Sequence, residues 1–229
     1  MSREPHPSAT VIVLRDTADG TEVLLLQRTS RKPERPGPWV FPGGKVDEGD
    51  RRAEDSDAIA PARRAALREL VEEASLPLAP DSLQVFSRWI TPAISPKRFD
   101  TWFFLADVEG DPEIRVDGSE IARHRWIRPA EALAERARGE LNLAPPTFVT
   151  VTCIEAFATA AAARTATERA PVIHFRPQIC GTDKGPCMLY PGDAGFEARD
   201  PAASGPHHRL STFADGWHYE RDDEAIASL

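Results

Sequence analysis

One acidic run constrains the fold of this chain more than any other segment, and it reads Arg68-Glu69-Leu70-Val71-Glu72-Glu73-Ala74-Ser75-Leu76. A helix advances about 100° per residue, so it would gather the apolar residues into one stripe suited to a core. It would place the acids about 180° away, at the i, i+3 and i+4 positions that share one patch. The stripe consists of Leu67, Leu70, Val71 and Ala74, and the patch consists of Glu69, Glu72 and Glu73. The run therefore predicts an amphipathic helix with three carboxylates on the side opposite the core.

Three carboxylates held this close repel one another, and a shared divalent cation relieves the repulsion. Hard oxygen ligands of this kind suit Mg²⁺ or Mn²⁺. For an acidic run taken alone, the alternative is a solvated face on a surface helix. A glycine turn upstream of the helix favours the metal site over that alternative.

The glycine turn follows Trp39-Val40-Phe41, which is typical of the end of a buried strand. Pro42-Gly43-Gly44 then predicts a sharp loop. Glycines allow positive φ angles and let the backbone approach a ligand closely. A PGG triplet alone is usually only a turn, so the prediction depends on turn and helix together.

Together, the turn and the acidic helix resemble the Nudix box, in which a glycine turn and an acid precede an Arg-Glu-Φ-x-Glu-Glu helix. The matching positions are Gly44, Arg68, Glu69, Glu72, Glu73 and Leu76. Asp50 stands where the family has glutamate, and Ser75 replaces the glycine that usually follows the helix. The interval from Asp50 to Arg68 is also longer than in the family pattern, and its polar residues 51–57 are expected to bulge into solvent.

The resemblance implies an α/β fold in which a mixed β-sheet is sandwiched between helices (α/β/α). We expect a tail at residues 1–8, a Nudix domain at residues 9–140, and a C-terminal extension at residues 141–229. Within the domain, residues 10–14 are expected to form the first strand. The extension should contain one helix at residues 147–167, after a linker at residues 142–146, and then short strands with a turn at Asp215-Gly216.

The resemblance also implies roles for the box residues. Glu69, Glu72 and Glu73 would bind Mg²⁺ or Mn²⁺, with the Gly44 carbonyl as a backbone ligand. Either Glu69 or Glu72 would accept the proton from the attacking water. Arg68 would pair with Asp50 and orient the helix against the loop.

Residues outside the helix are expected to complete the site. Glu120 precedes a predicted strand containing Trp126, where related enzymes place a further acid as ligand or base; a surface charge is the alternative. Arg28, Lys97 and Arg98 are candidates for binding substrate phosphates, together with Gly43 and Gly44, because arginine suits bidentate phosphate contact. A solvated loop position is the alternative for the basic residues.

The substrate class is narrowed by a second resemblance. Trp89-Ile90-Thr91-Pro92 and Pro96-Lys97-Arg98-Phe99-Asp100-Thr101 are similar to the peroxisomal coenzyme A diphosphatase-like subgroup, whose members also carry an insertion in the box. This implies hydrolysis of a phosphoanhydride bond in a nucleoside diphosphate derivative, with CoA or acyl-CoA as the leading form. ADP-ribose, NADH and a capped RNA end fit the same chemistry. A nucleotide-binding sensor without hydrolysis and a purely structural acidic-helix domain are the two other hypotheses.

Charge and cysteine usage bound the partners and the compartment. The net charge of -8 and the pI near 5.3 disfavour general nucleic-acid binding and anionic membranes. No stretch of 18 apolar residues occurs, and the N-terminus lacks a signal-peptide apolar region. An odd count of three cysteines, spaced unlike common zinc motifs, favours reduced thiols. We therefore expect a cytoplasmic protein with a small-molecule nucleotide-derivative substrate, and a homodimer contact is one use for the extension.

Overall fold

The structure, a computed structural model, describes residues 4–30 and 36–227. The chain divides into two compact units. The larger unit comprises His6–Phe86 and Thr101–Ala170. Of the described residues, the smaller unit comprises 4–5, Ser87–Asp100 and 171–227.

The described residues contain strands and helices in the following order along the chain. The strands are β1 (His6–Thr17), β2 (Gly20–Arg28), β3 (Trp39–Val40), β4 (Gly43–Lys45), β5 (Gln84–Ile90), β6 (Phe99–Val108), β7 (Ile121–Ile127), β8 (Ile173–Phe175), β9 (Gln178–Thr182), β10 (Gly185–Leu189), β11 (His208–Phe213) and β12 (Gly216–Arg221). The α-helices are α1 (Ile59–Ala74), α2 (Pro129–Ala137), α3 (Pro145–Glu155), α4 (Ala160–Arg169) and α5 (Asp223–Ala227). Short 3-10 turns occur at Glu48–Asp50 and Pro80–Ser82.

The sheet of the larger unit has the strand order β3-β2-β1-β6, with β4 paired to β1 and β7 paired to β2. Strand β1 pairs antiparallel with β2 through Leu14 and Val23, and antiparallel with β4 through Ala9 and Gly44. Strand β7 pairs antiparallel with β2, and Arg28 lies opposite Ile121 at the end of that ladder. This topology brings the glycine turn, the end of β2 and the start of β7 onto neighbouring strands.

Both faces of the central strands are buried. Successive side chains of a strand point to opposite faces, and Val11, Ile12, Val13 and Leu14 of β1 are all 0% exposed. Such continuous burial requires cover on both sides of a sheet. Helix α1 packs against β1 and β4, whereas α2 contacts β2 and α3, and α4 contacts β1. The predicted α/β class is confirmed.

The smaller unit is built on short strands. Strand β8 pairs parallel with β5 through Ser87 and Ile173, and the order β12-β11-β10-β9 forms a separate antiparallel sheet. Phe175 stacks on Trp89 with a centroid distance of 3.9 Å. Cys180 and Cys187 lie opposite each other on β9 and β10 and therefore flank a turn. The predicted hairpin near Asp215 and Gly216 is present, because Phe213 pairs with Gly216.

Several element boundaries differ from the sequence predictions. Strand β1 begins at His6, so residues 6–8 are part of the sheet and not a tail; residues 1–3 lie outside the described part of the chain. The single helix expected at residues 147–167 is two helices, since α3 ends at Glu155 and α4 begins at Ala160. Thr159 caps the start of α4, and its side chain accepts a hydrogen bond from Ala162 N. The expected linker at residues 142–146 instead contains the start of α3 at Pro145, since proline is favourable in a first helical turn.

The predicted domain boundaries do not coincide with those of the compact units. Residues 141–170 belong to the larger unit, in which Trp39 N donates to Asn142 O at 2.8 Å and Leu143 is 2% exposed. A division at residue 140 stays a prediction. Among the described residues, no single helix is long and apolar enough to cross a membrane, and one bent pair, α3 with α4, passes on combined length and composition alone.

Candidate active site

The glycine turn lies against the first strand of the sheet. Val11 N donates to Pro42 O at 2.9 Å, and the Thr10 hydroxyl donates to the same oxygen at 2.6 Å. Strand β4 then pairs Gly43 with Thr10. A Cβ atom on Gly43 would meet the Thr10 Cα at 2.6 Å, which is backbone and cannot move aside. Close packing on β1 therefore explains why position 43 is glycine.

Helix α1 brings two of the predicted carboxylates to this turn. Gly43 N donates to Glu73 Oε2 at 2.8 Å. A methyl group on Gly44 would overlap the carboxylate of Glu69. Glu69 and Glu73 are one helical turn apart, so both face the same loop. The predicted convergence of turn and helix is confirmed for these two acids.

The buried side of α1 is rotated from the predicted one. Leu70 and Ala74 are 0% exposed as expected, but Val71 is 46% exposed and Glu73 only 5%. The predicted sides were therefore wrong for Glu73 and Val71, whereas Glu72 lies on the exposed side as expected. Small buried residues at Ala62, Ala65 and Ala66 extend the packing face toward the Glu73 side of the helix.

Arg68 organises the polar side of the helix. Its guanidinium donates to Glu69 Oε1 at 2.9 Å and to Glu72 Oε2 at 3.0 Å. It also donates to Asp50 Oδ2 at 2.9 Å and to Lys45 O at 3.0 Å. The predicted pairing of Arg68 with Asp50 is confirmed, so the shorter acid at position 50 still ties the loop to the helix.

The third carboxylate of the patch does not join the other two. Glu72 has a side chain 57% exposed, and its contact is with Arg68. Within the described residues, no group of three Asp, Glu, His or Cys side chains is arranged to hold a metal ion. Glu69 and Glu72 share one nitrogen of Arg68, whereas Glu73 accepts from Gly43 N. The three carboxylates therefore do not form one cluster in this conformation, and their roles as metal ligands stay predictions.

The two acids at the turn carry poorly compensated charge. The pKa of Glu73 is raised to about 7. Burial is the largest cause and the nearby carboxylates of Glu69 and Glu120 add to it, whereas the Gly43 N–H and Arg28 act to lower the pKa. Burial likewise raises the pKa of Glu69, although Arg68 opposes this. Environments that disfavour the ionised form of neighbouring acids are typical of functional sites.

Arg28 and Glu120, two predicted site residues outside the helix, lie near Glu73. Arg28, at the end of β2, lies with Nη2 3.8 Å from Glu73 Oε1 and is 46% exposed. Glu120 precedes β7, and its carbonyl accepts from Thr29 N at 2.8 Å, next to Arg28. The position of Glu120 before the Trp126 strand is as predicted. The roles of both residues remain predictions.

Lys97 and Arg98 belong to the smaller unit. The Lys97 ammonium lies 5.2 Å from the centroid of the Phe99 ring, and Arg98 Nε donates to Thr91 O at 3.2 Å. Their assignment to substrate phosphates stays a prediction.

The sequence interpretation missed a second arginine on α1. Arg64 contacts both carboxylate oxygens of Asp55 in the insertion, and its Nε donates to Asp50 O at 2.7 Å. The available signal was its position one helical turn before Arg68, on the same side of the helix. The insertion is largely exposed, as predicted, but it is attached to the helix.

The donor set around the turn fits a divalent cation. Glu69 and Glu73 supply hard oxygen atoms, and Gly44 leaves backbone space beside Glu69 that a side chain would fill. The raised pKa values of both acids mean that a positive charge placed there would stabilise their ionised forms. These residues would hold Mg²⁺ or Mn²⁺ on the face of the turn.

Comparison with known proteins agrees with this geometry. The family model described as NUDIX domain matches residues 4–147. A Caenorhabditis elegans relative is 30% identical over 159 residues, which are 54% of this chain and 52% of that protein. Human "Acyl-coenzyme A diphosphatase NUDT19" is 32% identical over 153 residues, which are 65% of this chain and 39% of that protein. The chain thus spans about half or less of the length of these relatives.

A solved structure shows the same fold. The crystal structure of a NUDIX hydrolase from Alicyclobacillus acidocaldarius is 26% identical to this chain, with a TM-score of 0.62. The match covers 72% of this chain and 97% of that one.

Proposed function

Because this chain belongs to the Nudix family, we propose that it is a Mg²⁺- or Mn²⁺-dependent hydrolase of a phosphoanhydride bond in a nucleoside diphosphate derivative. One observation carries the proposal: the Gly43-Gly44 turn lies directly against a buried carboxylate, Glu73, and a partly buried one, Glu69, and the pKa of each is raised. A surface helix with a solvated acidic face would leave Glu69 and Glu73 exposed.

The residues of the site have separable tasks in this mechanism. Glu69 and Glu73 would hold the cation, with the Gly44 carbonyl as a further donor. When bound, the cation supplies neutralisation of phosphate oxygens and a lowered pKa for the attacking water. Arg28, half-exposed beside Glu73, would contact a substrate phosphate. Arg68 orients Glu69 and Glu72 through its two hydrogen bonds.

The proton from water has two candidate acceptors. Glu72 is exposed and reaches Arg68 by one hydrogen bond, so it is free to turn toward a substrate. Glu69 is closer to the turn and has a raised pKa, which suits a general base. Glu120 would serve as a further ligand or a base, since its charge already acts on Glu73.

For the substrate, we propose CoA or acyl-CoA as the leading form. Its support is the subgroup resemblance around residues 89–101 together with the name of the human relative, an acyl-coenzyme A diphosphatase. Cleavage would release a nucleoside monophosphate-type product and a phosphorylated remainder. The substrate-binding roles of Lys97 and Arg98, the cytoplasmic location and the homodimer stay predictions.

A nucleotide-binding sensor without hydrolysis is the second candidate. It is favoured by one observation, that Arg68 already donates hydrogen bonds to both Glu69 and Glu72. In a sensor, Arg68 would keep Glu69 and Glu72 paired when a nucleotide binds.

Turnover of a substrate panel separates the two candidates. CoA, acetyl-CoA, ADP-ribose, NADH and a capped RNA are incubated with Mg²⁺ or Mn²⁺, and the products are quantified by chromatography. We expect hydrolysis by the wild type and a loss of roughly 10²-fold or more in Glu72→Gln and Glu69→Gln, the size typical of removing a key catalytic group. The control Glu140→Gln makes the same change at an exposed ion pair with Arg138 and should keep full turnover.

Each result bears on one candidate. Nucleotide binding without turnover of any compound would favour the sensor. Undiminished turnover in both Glu72→Gln and Glu69→Gln would contradict the roles assigned to the helix.

A further inference from the structure

The insertion between Asp50 and α1, residues 51–58, is fixed to the helix by its own side chains. Both oxygens of the Asp55 carboxylate contact Arg64, and Oδ2 also accepts from Arg52 N at 2.8 Å. The Asp55 side chain is 11% exposed although the segment is polar. Asp57 Oδ1 accepts from Ile59 N at 2.9 Å and from Ala60 N at 3.1 Å, so it satisfies the first N–H groups of the helix.

Arg64 connects this insertion to the loop that carries Asp50. Its Nε donates to Asp50 O at 2.7 Å, while its Nη2 donates to the Asp55 carboxylate. The backbone of Asp50 is thereby held from one side. Its carboxylate is held from the other side by Arg68 and accepts from Asp47 N at 2.9 Å.

Asp50 is in turn the residue that fixes Arg68. The Asp50 side chain is 6% exposed, and burial alone would raise its pKa, but the bonds from Arg68 and Asp47 lower the pKa below its usual value. Asp50 is therefore ionised and strongly bound to Arg68. Arg68 then donates to Glu69 and Glu72.

From this continuous set of contacts we propose that Arg64 and Asp55 are positioning residues for the active-site carboxylates. They fix Asp50, and through Asp50 and Arg68 they set the orientation of Glu69; this role rests on the proposed function. The insertion thus acts as a brace for the metal-binding helix, supplied by residues that lie outside the box pattern.

The chemistry of the arginine side chain supports this assignment. One planar guanidinium reaches a carbonyl through Nε and a carboxylate through Nη2, and a lysine ammonium on a flexible stem cannot reproduce that fork. Residues that orient metal-binding side chains from behind typically change metal affinity or activity by about 10- to 100-fold when they are replaced. A mere loop anchor would change stability and leave the affinity for the metal unchanged.

Mn²⁺ binding tests the proposal without requiring catalysis. Free Mn²⁺ is measured by electron paramagnetic resonance during titration of the wild type, Arg64→Met, Arg64→Lys and Asp55→Asn. We expect the Kd for Mn²⁺ to rise about tenfold in Arg64→Met and Asp55→Asn, and the double variant to be no weaker than either single variant because both act through one contact. Arg64→Lys should resemble Arg64→Met.

A neighbouring arginine gives the matched control. Arg63 is also on α1, but it contacts the carbonyls of Leu83 and Pro80 and lies over the Phe104 ring, 5.2 Å from its centroid. Arg63→Met should lower Tm and leave the Kd for Mn²⁺ within about twofold of wild type.

Steady-state kinetics gives a second readout. With the best substrate, the Arg64 variants should have a lower kcat and a KM close to that of the wild type.

The outcomes separate this proposal from the proposed function. A wild-type Kd in Arg64→Met, or in Asp55→Asn if the arginine variants do not fold, would overturn the positioning role. An equal rise in Kd in Arg63→Met would show a general effect of lost stability and would also overturn it. A wild type that binds Mn²⁺ but cleaves nothing would reject hydrolysis alone, and one that binds no Mn²⁺ would reject both.

Discussion

Two carboxylates in this protein are buried to the same extent in different surroundings. Glu73 in the larger unit and Asp193 in the smaller unit are each 5% exposed. Burial disfavours the ionised form of a carboxylate unless hydrogen bonds and opposite charges replace its hydration. The two residues therefore show what complete and incomplete compensation look like within one chain.

Asp193 is fully compensated. Arg209 donates to its two oxygens at 2.7 and 2.8 Å, and the backbone N–H groups of His208 and Gly195 each donate at 2.9 Å. Burial acts to raise the pKa of Asp193, but these bonds together lower it below the usual value. Each carboxylate oxygen accepts a bond from Arg209 and one from a backbone N–H, so we expect a structural role for the pair.

The buried charge of Glu73 has much less compensation than that of Asp193. It accepts one backbone N–H, from Gly43, and the nearest guanidinium nitrogen, on Arg28, lies 3.8 Å away. The pKa of about 7 follows from that shortage. A bound cation can stabilise a buried acid whose charge is undercompensated, so the shortage at Glu73, and not its burial alone, supports the proposed site.

Removing the cation partner of Asp193 should produce the largest effect. Arg209→Met leaves a buried carboxylate without its counterion, so we expect the free energy of unfolding to fall by about 3–5 kcal/mol. Urea denaturation at pH 7 measures this. Arg138→Met breaks the exposed pair with Glu140 and should change the same quantity by less than about 1 kcal/mol. A loss below 1 kcal/mol in Arg209→Met would mean that the Asp193 pair is not structural.

The matching change at Glu73 should lower turnover and leave stability unchanged or higher. Glu73→Gln keeps an acceptor oxygen for Gly43 N but removes the charge, so we expect turnover of the best substrate to fall about 10²-fold. Because the buried charge is undercompensated, Tm at pH 8 should be unchanged or higher. Steady-state kinetics and thermal melting check the two parts. A lower Tm together with full turnover would mean that Glu73 has a structural role like that of Asp193, which would contradict the proposed difference between the two acids.

Part of the contrast between Glu73 and Asp193 could be predicted from the sequence, and part could not. The glycine turn and the acidic helix were predictable from local spacing, and the Asp50–Arg68 pair was predictable from the family resemblance. The burial of Glu73 was not, because alanines at 62, 65 and 66 contribute little to a hydrophobic pattern and yet determine which side of α1 packs on the sheet. Val71 was placed on the wrong side for the same reason.

Contacts between distant residues were also beyond the sequence. Asp193 and Arg209 meet across a loop and a strand, and neither belongs to a recognisable motif. The pairing of Asp55 with Arg64 joins an insertion to a helix in the same way. The break between α3 and α4 depends on Thr159 as a cap in an alanine-rich segment, where composition favours helix throughout.

Acid pH offers a further test of the compensated acid. The folded pKa of Asp193 is lowered from 3.8, so its stabilisation is present above the unfolded value and is lost as pH falls through the lower folded value. Asp193→Asn should therefore cost about 2 kcal/mol at pH 7, typical of lost hydrogen bonds to a charged group. The difference from wild type should shrink below about pH 4. Urea denaturation at pH 7 and pH 3 measures it, and a difference that grows in acid would contradict the lowered pKa.

The two adjacent glycines of the turn give the smallest and most local test of the contrast. A methyl group on Gly43 would press against the backbone of Ala9 and Thr10, whereas one on Gly44 would press only against the flexible end of Glu69. We therefore expect Gly44→Ala to reduce turnover about tenfold by displacing the carboxylate that we propose as a metal ligand, with a change in the free energy of unfolding below about 1 kcal/mol. Gly43→Ala, its matched control, should lose stability first, because backbone atoms of β1 must move. Kinetics and urea denaturation of both variants separate the cases. If Gly44→Ala keeps full turnover, the closeness of Glu69 to the turn has no part in the chemistry.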